Sequence, residues 1–309
     1  MALANSIKED ISEALNEYAK INSLSQDQLS KIAGINVSYI NAIKKGDTVI
    51  GKTAIQDSFF KKVAAAIGYR FESEFWKSVE TDQFLDVYSE LADAKVNCRV
   101  KVLIGETGCG KTYTINRFKM ECPACTYVVT VSSLHRVHTI ISELGKVMGL
   151  QLPKGDSIRK LHKIAGKLRY LRSMGKQPVI ILDEAENLPL PVLKMLKGLY
   201  DSVKDYCPIV LIGTNQLVNK LEKLKENDAE GMPQFYRRFK AGIRIVTPID
   251  KKMFSPFFDL IDDKELRSLL LTISDNYGEL NDYLETALRE ATRMGEKLTE
   301  EFFRHLFKL

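Results

Sequence analysis

The 309-residue sequence predicts an α/β fold: a doubly wound parallel sheet, followed by a helical segment and preceded by a small all-helical unit. Three observations carry that prediction. Short apolar runs recur near 99–104, 127–131, 179–182, 208–212 and 243–247, with helical stretches between them. Such alternation builds a parallel sheet covered on both faces, with ligands at the carboxyl ends of its strands. After residue 249 the strand-like runs stop, and Leu266, Leu269, Leu270 and Ile273 recur at helical spacing. Near the start, Leu29, Ile32, Ile35, Ile40 and Ile43 are spaced to pack two short helices, with Gly34 at the turn between them. The expected units are residues 1–75, 76–248 and 249–309.

Composition narrows the class of protein. Hydrophobic residues make up 45% and charged residues 28%, an ordinary globular balance. No apolar run reaches the length of a membrane helix, so no membrane partner is expected. The opening MALANSIKED carries Glu9 and Asp10 and lacks the apolar core of a secretory signal. Five cysteines, an odd number, fit a reducing compartment better than a disulfide framework, and a cytoplasmic location is expected. The net charge of +5 is unevenly spread. Residues 76–249 carry 27 basic and 18 acidic side chains, whereas residues 250–309 carry 9 and 13. The positive excess lies in the middle of the chain, where a polyanion would be handled.

The first motif follows the first apolar run of the middle unit. Gly105, Glu106, Thr107, Gly108, Cys109, Gly110, Lys111 and Thr112 form G-x-x-x-x-G-K-T between a strand and a helix. The glycines let the backbone wrap a phosphate and aim its N–H groups inward at a helix N-terminus, which favours anions. Lys111 is expected at the β- and γ-phosphates of ATP, and the Thr112 hydroxyl on Mg2+. The partner motif is Val179–Leu182 followed by Asp183 and Glu184. Asp183 is expected to hold Mg2+ through its water shell, and Glu184 to orient or deprotonate the attacking water. Either motif alone is common; the pair in this order marks an ATP site. The run 208–212 ends in Gly213, Thr214 and Asn215. Similarity to P-loop ATPases, which sense the γ-phosphate with a polar residue at the end of such a strand, implies that role for Thr214 or Asn215. With its helical segment after the sheet, 76–309 resembles the AAA+ ATPases. That resemblance implies an arginine between the last two strands that reaches a neighbouring subunit's γ-phosphate. Arg237 and Arg238 both qualify, and either requires an oligomer.

Two segments suit DNA. The pair of short helices around Gly34 resembles the helix-turn-helix of Cro-like repressors, in which the second helix enters the major groove. Here that helix is capped by Asn36 and offers Asn36, Ser38, Tyr39 and Lys44 on its outer face. The second segment is denser in charge: Lys154 to Lys176 holds eight basic residues and one acid, Asp156. Ile158, Leu161, Ile164, Ala165, Leu168 and Leu171 form its apolar stripe. Arg159, Lys160, Lys163, Lys167 and Arg169 fall off the stripe, with Arg172 at its edge. A helix of this kind suits backbone contact with double-stranded DNA of any sequence.

In this order the motifs resemble the phage Mu transposition protein B family, the AAA+ target-selection ATPases of DNA transposons. The likeness adds the stretch Phe75–Thr81, the strand Tyr127–Ser132 and Ala185 after the acid pair. The resemblance implies slow ATP hydrolysis stimulated by DNA or a transposase, and DNA binding with little sequence preference. It also implies ATP-dependent assembly of the chain into filaments, delivery of target DNA to the transposase, and a bacterial or phage-infected host cell. A helicase loader and a nucleotide-switched transcriptional regulator are the rival functions for the same parts. One departure is visible. The lid of such proteins often bears an arginine after a Gly-x-Leu step, but Gly278-Glu-Leu280 is followed here by Asn281.

A zinc site from Cys122, Cys125, His135 and His138 is disfavoured. An intervening strand of about six residues at roughly 3.3 Å per residue holds the two pairs too far apart for one ion.

Overall fold

A computed structural model describes residues 3, 5–22, 24–51, 53–69, 79–121, 123 and 125–309. Most of the stretch Phe75–Thr81, the boundary between the first two expected units, Lys52 and Cys122 lie outside the described residues.

The N-terminal part contains α1 (Asn5–Asn22), α2 (Gln26–Ala33), α3 (Val37–Lys44), a minimal hairpin of β1 (Val49–Ile50) and β2 (Thr53–Ala54), and α4 (Asp57–Ile67). Ser25 and Gln28 form a reciprocal capping box that starts α2, and Gly34 ends it with φ +62°. Asn36 caps α3 by accepting from the Ser38 N–H. Leu29, Ile35, Ile40 and Ile43 are buried with Ile11, Leu15, Phe60 and Val63. Ile32 is a correction to the sequence reading, 43% exposed rather than in the core. α1, α4 and the hairpin pack against α2 and α3, a role that the sequence pattern of those two helices did not reveal.

The central part runs α5 (Asp82–Asn97), β3 (Lys101–Ile104), α6 (Lys111–Glu121), β4 (Thr126–Thr130), α7 (Val137–Val147), α8 (Ser157–Ser173), β5 (Val179–Asp183), α9 (Leu190–Val203), β6 (Ile209–Gly213), α10 (Asn215–Glu226), α11 (Met232–Lys240) and β7 (Ile243–Ile245). A single 3-10 turn, Ala185–Asn187, stands between β5 and α9. All five strands β3–β7 are parallel and lie in the order β4-β5-β6-β3-β7. Successive strand residues face opposite helix layers. Leu103, Ile181, Val210 and Ile212 pack with Val87 and Leu91 of α5 and Phe118 of α6. Val102, Leu182 and Leu211 pack on the other face with residues of α7, α8, α9 and α11. Continuous burial of β5 and β6 on both faces is what a covered parallel sheet requires.

The C-terminal part holds a 3-10 segment, Lys251–Leu260, then α12 (Lys264–Ile273), α13 (Tyr277–Met294) and α14 (Glu300–Phe307). Leu266, Leu270, Leu280, Leu284 and Phe303 form its own apolar cluster. Buried Gln83 of α5 ties it to the sheet. Its amide donates to the carbonyls of Thr247 and Pro248, and its carbonyl accepts from the Tyr277 hydroxyl at 2.9 Å. Among the described residues no helix is long and apolar enough to cross a membrane.

Candidate nucleotide site

β6 separates β3 from β5, so three strand ends meet in one row. β3 delivers the phosphate loop, β5 delivers Asp183 and Glu184, and β6 delivers Thr214 and Asn215 between them. Gly108 and Gly110 adopt φ +75° and +89°, backbone that L side chains rarely enter. The Lys111 ammonium donates to the carbonyls of Gly105 at 2.9 Å and Glu106 at 2.6 Å, folding the loop around itself. Burial pushes the Cys109 thiol pKa up, so this small residue fills its loop position as the neutral thiol.

Thr112 and Asp183 converge: the hydroxyl donates to Asp183 Oδ2 at 2.7 Å. Burial raises the Asp183 pKa, opposed by the Thr112 hydroxyl, the Glu184 N–H and Lys111. A buried carboxylate short of positive charge beside a hydroxyl oxygen is the hard-oxygen donor set that suits Mg2+, and these residues fit it. Glu184 sits at φ +53°, a left-handed conformation that costs a non-glycine residue about 1–3 kcal/mol and clusters at functional sites. Its side chain is exposed and accepts from the Asn187 amide at 3.4 Å, while the same amide donates to the Val131 carbonyl at 3.2 Å. Asn187 thus braces the acid against the end of β4. Three residues after the acid pair, it was not marked by the sequence reading.

Behind the loop is a cavity of about 310 Å³, lined by Val79, Thr81, Phe84, Tyr277 and Asn281 together with the loop itself. Its size and aromatic walls suit a nucleoside. α13 closes one side. The Gly278 N–H donates to the Gly108 carbonyl at 3.2 Å, and a side chain at position 108 would collide with Asn276. Asn281, where the resemblance led one to look for arginine, does line this cavity. Gln83, Tyr277 and Asn276 were missed because each lies far from the motifs in sequence. Their signal is a buried amide and a helix cap, common everywhere.

The two arginines are distinguishable. Both occupy the last turn of α11, which leads to the N-terminal edge of β7, whereas the phosphate loop leaves the C-terminal edge of β3. Arg238 pairs with Asp201 through Nε at 3.0 Å and Nη2 at 3.2 Å. Arg237 is exposed and makes no ion pair among the described residues. Of the β6 pair, Thr214 is half-buried with its hydroxyl buried and unpartnered, while Asn215 is exposed.

The residues that the sequence assigns to DNA are dispersed. On α8, Arg159, Lys163 and Arg169 are exposed, and Lys160, Lys167 and Arg172 are half-buried. Asp156 caps the helix at the Arg159 N–H, and Ile164, Ala165, Leu168 and Leu171 are buried. Ile158 corrects the expected stripe, lying 63% exposed. Arg169 packs over Tyr206 at 5.2 Å, beside a cleft holding Asp201 and Asp205, so the basic face is less uniform than its sequence. At the start of α3, the Asn36 side-chain Oδ1 accepts from the Ser38 N–H and hydroxyl, both at 3.0 Å. Tyr39 stacks on Phe59 at 4.2 Å, and Lys44 is half-buried.

Known proteins share this arrangement. A family model described as an AAA domain matches residues 94–221. The crystal structure of Cdc6p from Pyrobaculum aerophilum superposes with a TM-score of 0.54 at 18% identity, over 75% of this chain and 67% of that one. The fold is AAA+. Within it, the chain resembles the protein named ATP-dependent target DNA activator B of Escherichia phage Mu, with 24% identity over 238 residues. That match spans 74% of this chain and 72% of the relative, and the protein of the same name from Escherichia phage D108 matches to the same extent. The AAA domain match begins in α5 and ends in α10, so it takes in the phosphate loop, the acid pair and the β6 end.

Proposed function

We propose that this AAA+ chain is an ATPase that binds double-stranded DNA in its ATP state and presents that DNA to a transposase. The observation that carries the reading is the convergence of Lys111 and Thr112, after β3, with Asp183 and Glu184, at the end of β5, on the same edge of the sheet with β6 between them. The names of the phage Mu and D108 relatives support the DNA and transposition side of it.

In this reading the phosphate loop N–H groups and Lys111 bind the β- and γ-phosphates, and the aromatic cavity holds the base. Thr112 and Asp183 would hold Mg2+, which would supply charge neutralisation of the phosphates. Glu184, braced by Asn187, accepts the proton of the attacking water. Thr214 or Asn215 reads the γ-phosphate. Arg237 acts on the site of a neighbouring copy, because α11 ends at the opposite edge of the sheet and Arg238 is engaged with Asp201. The exposed basic side chains of α8, chiefly Arg159 and Lys163, track the DNA backbone, and α2–α3 form an accessory DNA-binding unit in the N-terminal domain.

Electron microscopy with non-specific double-stranded DNA, in ATP and separately in ADP, tests the reading. Filaments or rings on DNA in ATP alone are expected. Monomers in both nucleotides would overturn assembly and favour a helix-turn-helix regulator. Strong preference for single strands would favour a helicase loader.

A further inference from the structure

The acid motif continues one residue further than its catalytic pair. Glu186 lies in the 3-10 turn Ala185–Asn187, packed against β6 and α10. Its carboxylate sits directly on Gly213, the last residue of β6: a Cβ there would collide with Glu186 Oε2 and meet the Glu186 nitrogen at 3.4 Å. Gly213 has no positive φ, so the glycine provides room and not backbone freedom. Lys220 of α10 donates to the Glu186 main-chain carbonyl at 3.0 Å. Burial lowers the Lys220 pKa, and the Glu186 charge opposes that shift.

Two buried atoms here have no hydrogen-bond partner among the described residues, Glu186 Oε2 and the Thr214 hydroxyl. An unpaired buried carboxylate oxygen is costly, and such groups in native proteins call for an explanation. An acceptor and a donor flank one glycine at the strand end that lies between the phosphate loop and Glu184. The Thr214 hydroxyl is buried beside this glycine, and Asn215 is exposed.

We propose that Glu186 is a positioning residue for γ-phosphate recognition. Its carboxylate, together with Lys220, fixes the end of β6 to the turn that carries Glu184, with Thr214 as internal support and Asn215 as the sensor. The inference rests on the assignment of Glu184 and the β6 end to ATP hydrolysis. It adds that these two parts move as one body.

The test compares affinity for ATPγS and ADP, and kcat for ATP, in Glu186→Ala, Glu186→Gln, Lys220→Met and Lys220→Arg. ADP affinity should stay within about twofold, while kcat and the preference for ATPγS over ADP fall about tenfold in the first three, the scale of removing a residue that orients a functional group. Lys220→Arg should retain both. Half-buried Lys220 keeps the test decisive if Glu186→Ala does not fold, as a thermal melt will reveal. Unchanged kcat and unchanged preference in Lys220→Met and Glu186→Gln would overturn the proposal. So would an equal loss of ADP and ATPγS affinity, which signals collapse of the whole site. Glu184→Gln separates the two levels. If it hydrolyses ATP normally, the underlying assignment fails; if it is inactive while the Glu186 and Lys220 variants are normal, only the present inference fails.

Discussion

The nucleotide site and the basic helix α8 both carry charge, but they hold it in different ways. At the candidate site, side chains hold one another: Thr112 is paired with Asp183, Glu184 with Asn187, and Asn187 in turn with the Val131 carbonyl. On α8, Arg159, Lys163 and Arg169 are exposed, and their contacts are few and local: Lys163 donates to the Gln151 carbonyl at 2.5 Å, and Arg169 lies over Tyr206. A site that recognises one transition state needs fixed groups. A surface that follows a uniform phosphate backbone needs only charge at a workable density. The consequence is a difference in how single substitutions act, large at the first region and graded at the second.

The largest effects should therefore come from the site. Lys111→Ala should take binding of a fluorescent nucleotide below detection. Glu184→Gln should preserve that binding while lowering kcat by about 10²–10⁴-fold, the usual worth of a general base. It should also prolong the lifetime of the DNA complex formed in ATP, measured by filter retention. Prompt release from DNA would break the link between hydrolysis and grip.

The same contrast explains what could be read in advance. β5 and β6 were legible because a sheet covered on both faces demands continuous apolar runs, and Val179–Leu182 and Ile209–Ile212 have no polar interruption. β7 at the sheet edge is shorter than the expected 243–247, with Arg244 and Ile245 exposed. The phosphate loop and acid pair were legible because their chemistry dictates residue type at fixed spacing. Asn187, Glu186 and Gln83 were not. Each acts through tertiary neighbours, and nothing local separates such a residue from an ordinary polar one. Ile32 and Ile158 misled for the complementary reason: helical periodicity marks a face, but the neighbours decide how far the face extends. Nor does sequence separate two adjacent arginines, whereas the Asp201 carboxylate does.

Those arginines give the next prediction in size. Arg237→Ala should lower kcat by about 10³-fold, as for an arginine supplied by a neighbouring molecule, with nucleotide affinity little changed. Wild-type activity per chain should rise with protein concentration, and that rise should vanish in the variant. If Arg238→Ala gives the kinetic loss and Arg237→Ala does not, the assignment reverses.

Graded effects belong to α8. Arg159→Glu and Lys163→Glu should each weaken DNA binding in ATP and reduce the slope of log affinity against log salt by about one for each phosphate no longer neutralised. Their effects should be similar on unrelated DNA sequences, checked by fluorescence anisotropy over a salt series. A sharp drop on one sequence alone would make α8 a reader and not a tracker. The smallest effect should be that of Arg238→Ala on stability. Its partly exposed pair with Asp201 contributes about 0–1 kcal/mol, a shift of a few degrees at most in thermal unfolding, with kcat unaltered.

If Arg237 acts on a neighbouring copy as proposed, its placement carries a consequence for symmetry. A side chain that completes another copy's site joins two unlike surfaces, one donating and one receiving. A twofold pair lets each copy complete the other's site, whereas a head-to-tail contact is directional. Repetition produces either a closed circle or an open helix with two dissimilar ends. In the open case, one terminal copy always has a site that no neighbour completes. The fraction of such sites shrinks as the array lengthens, so a long array turns over more ATP per chain than a short one, and its two ends differ in how readily they lose nucleotide and leave the DNA.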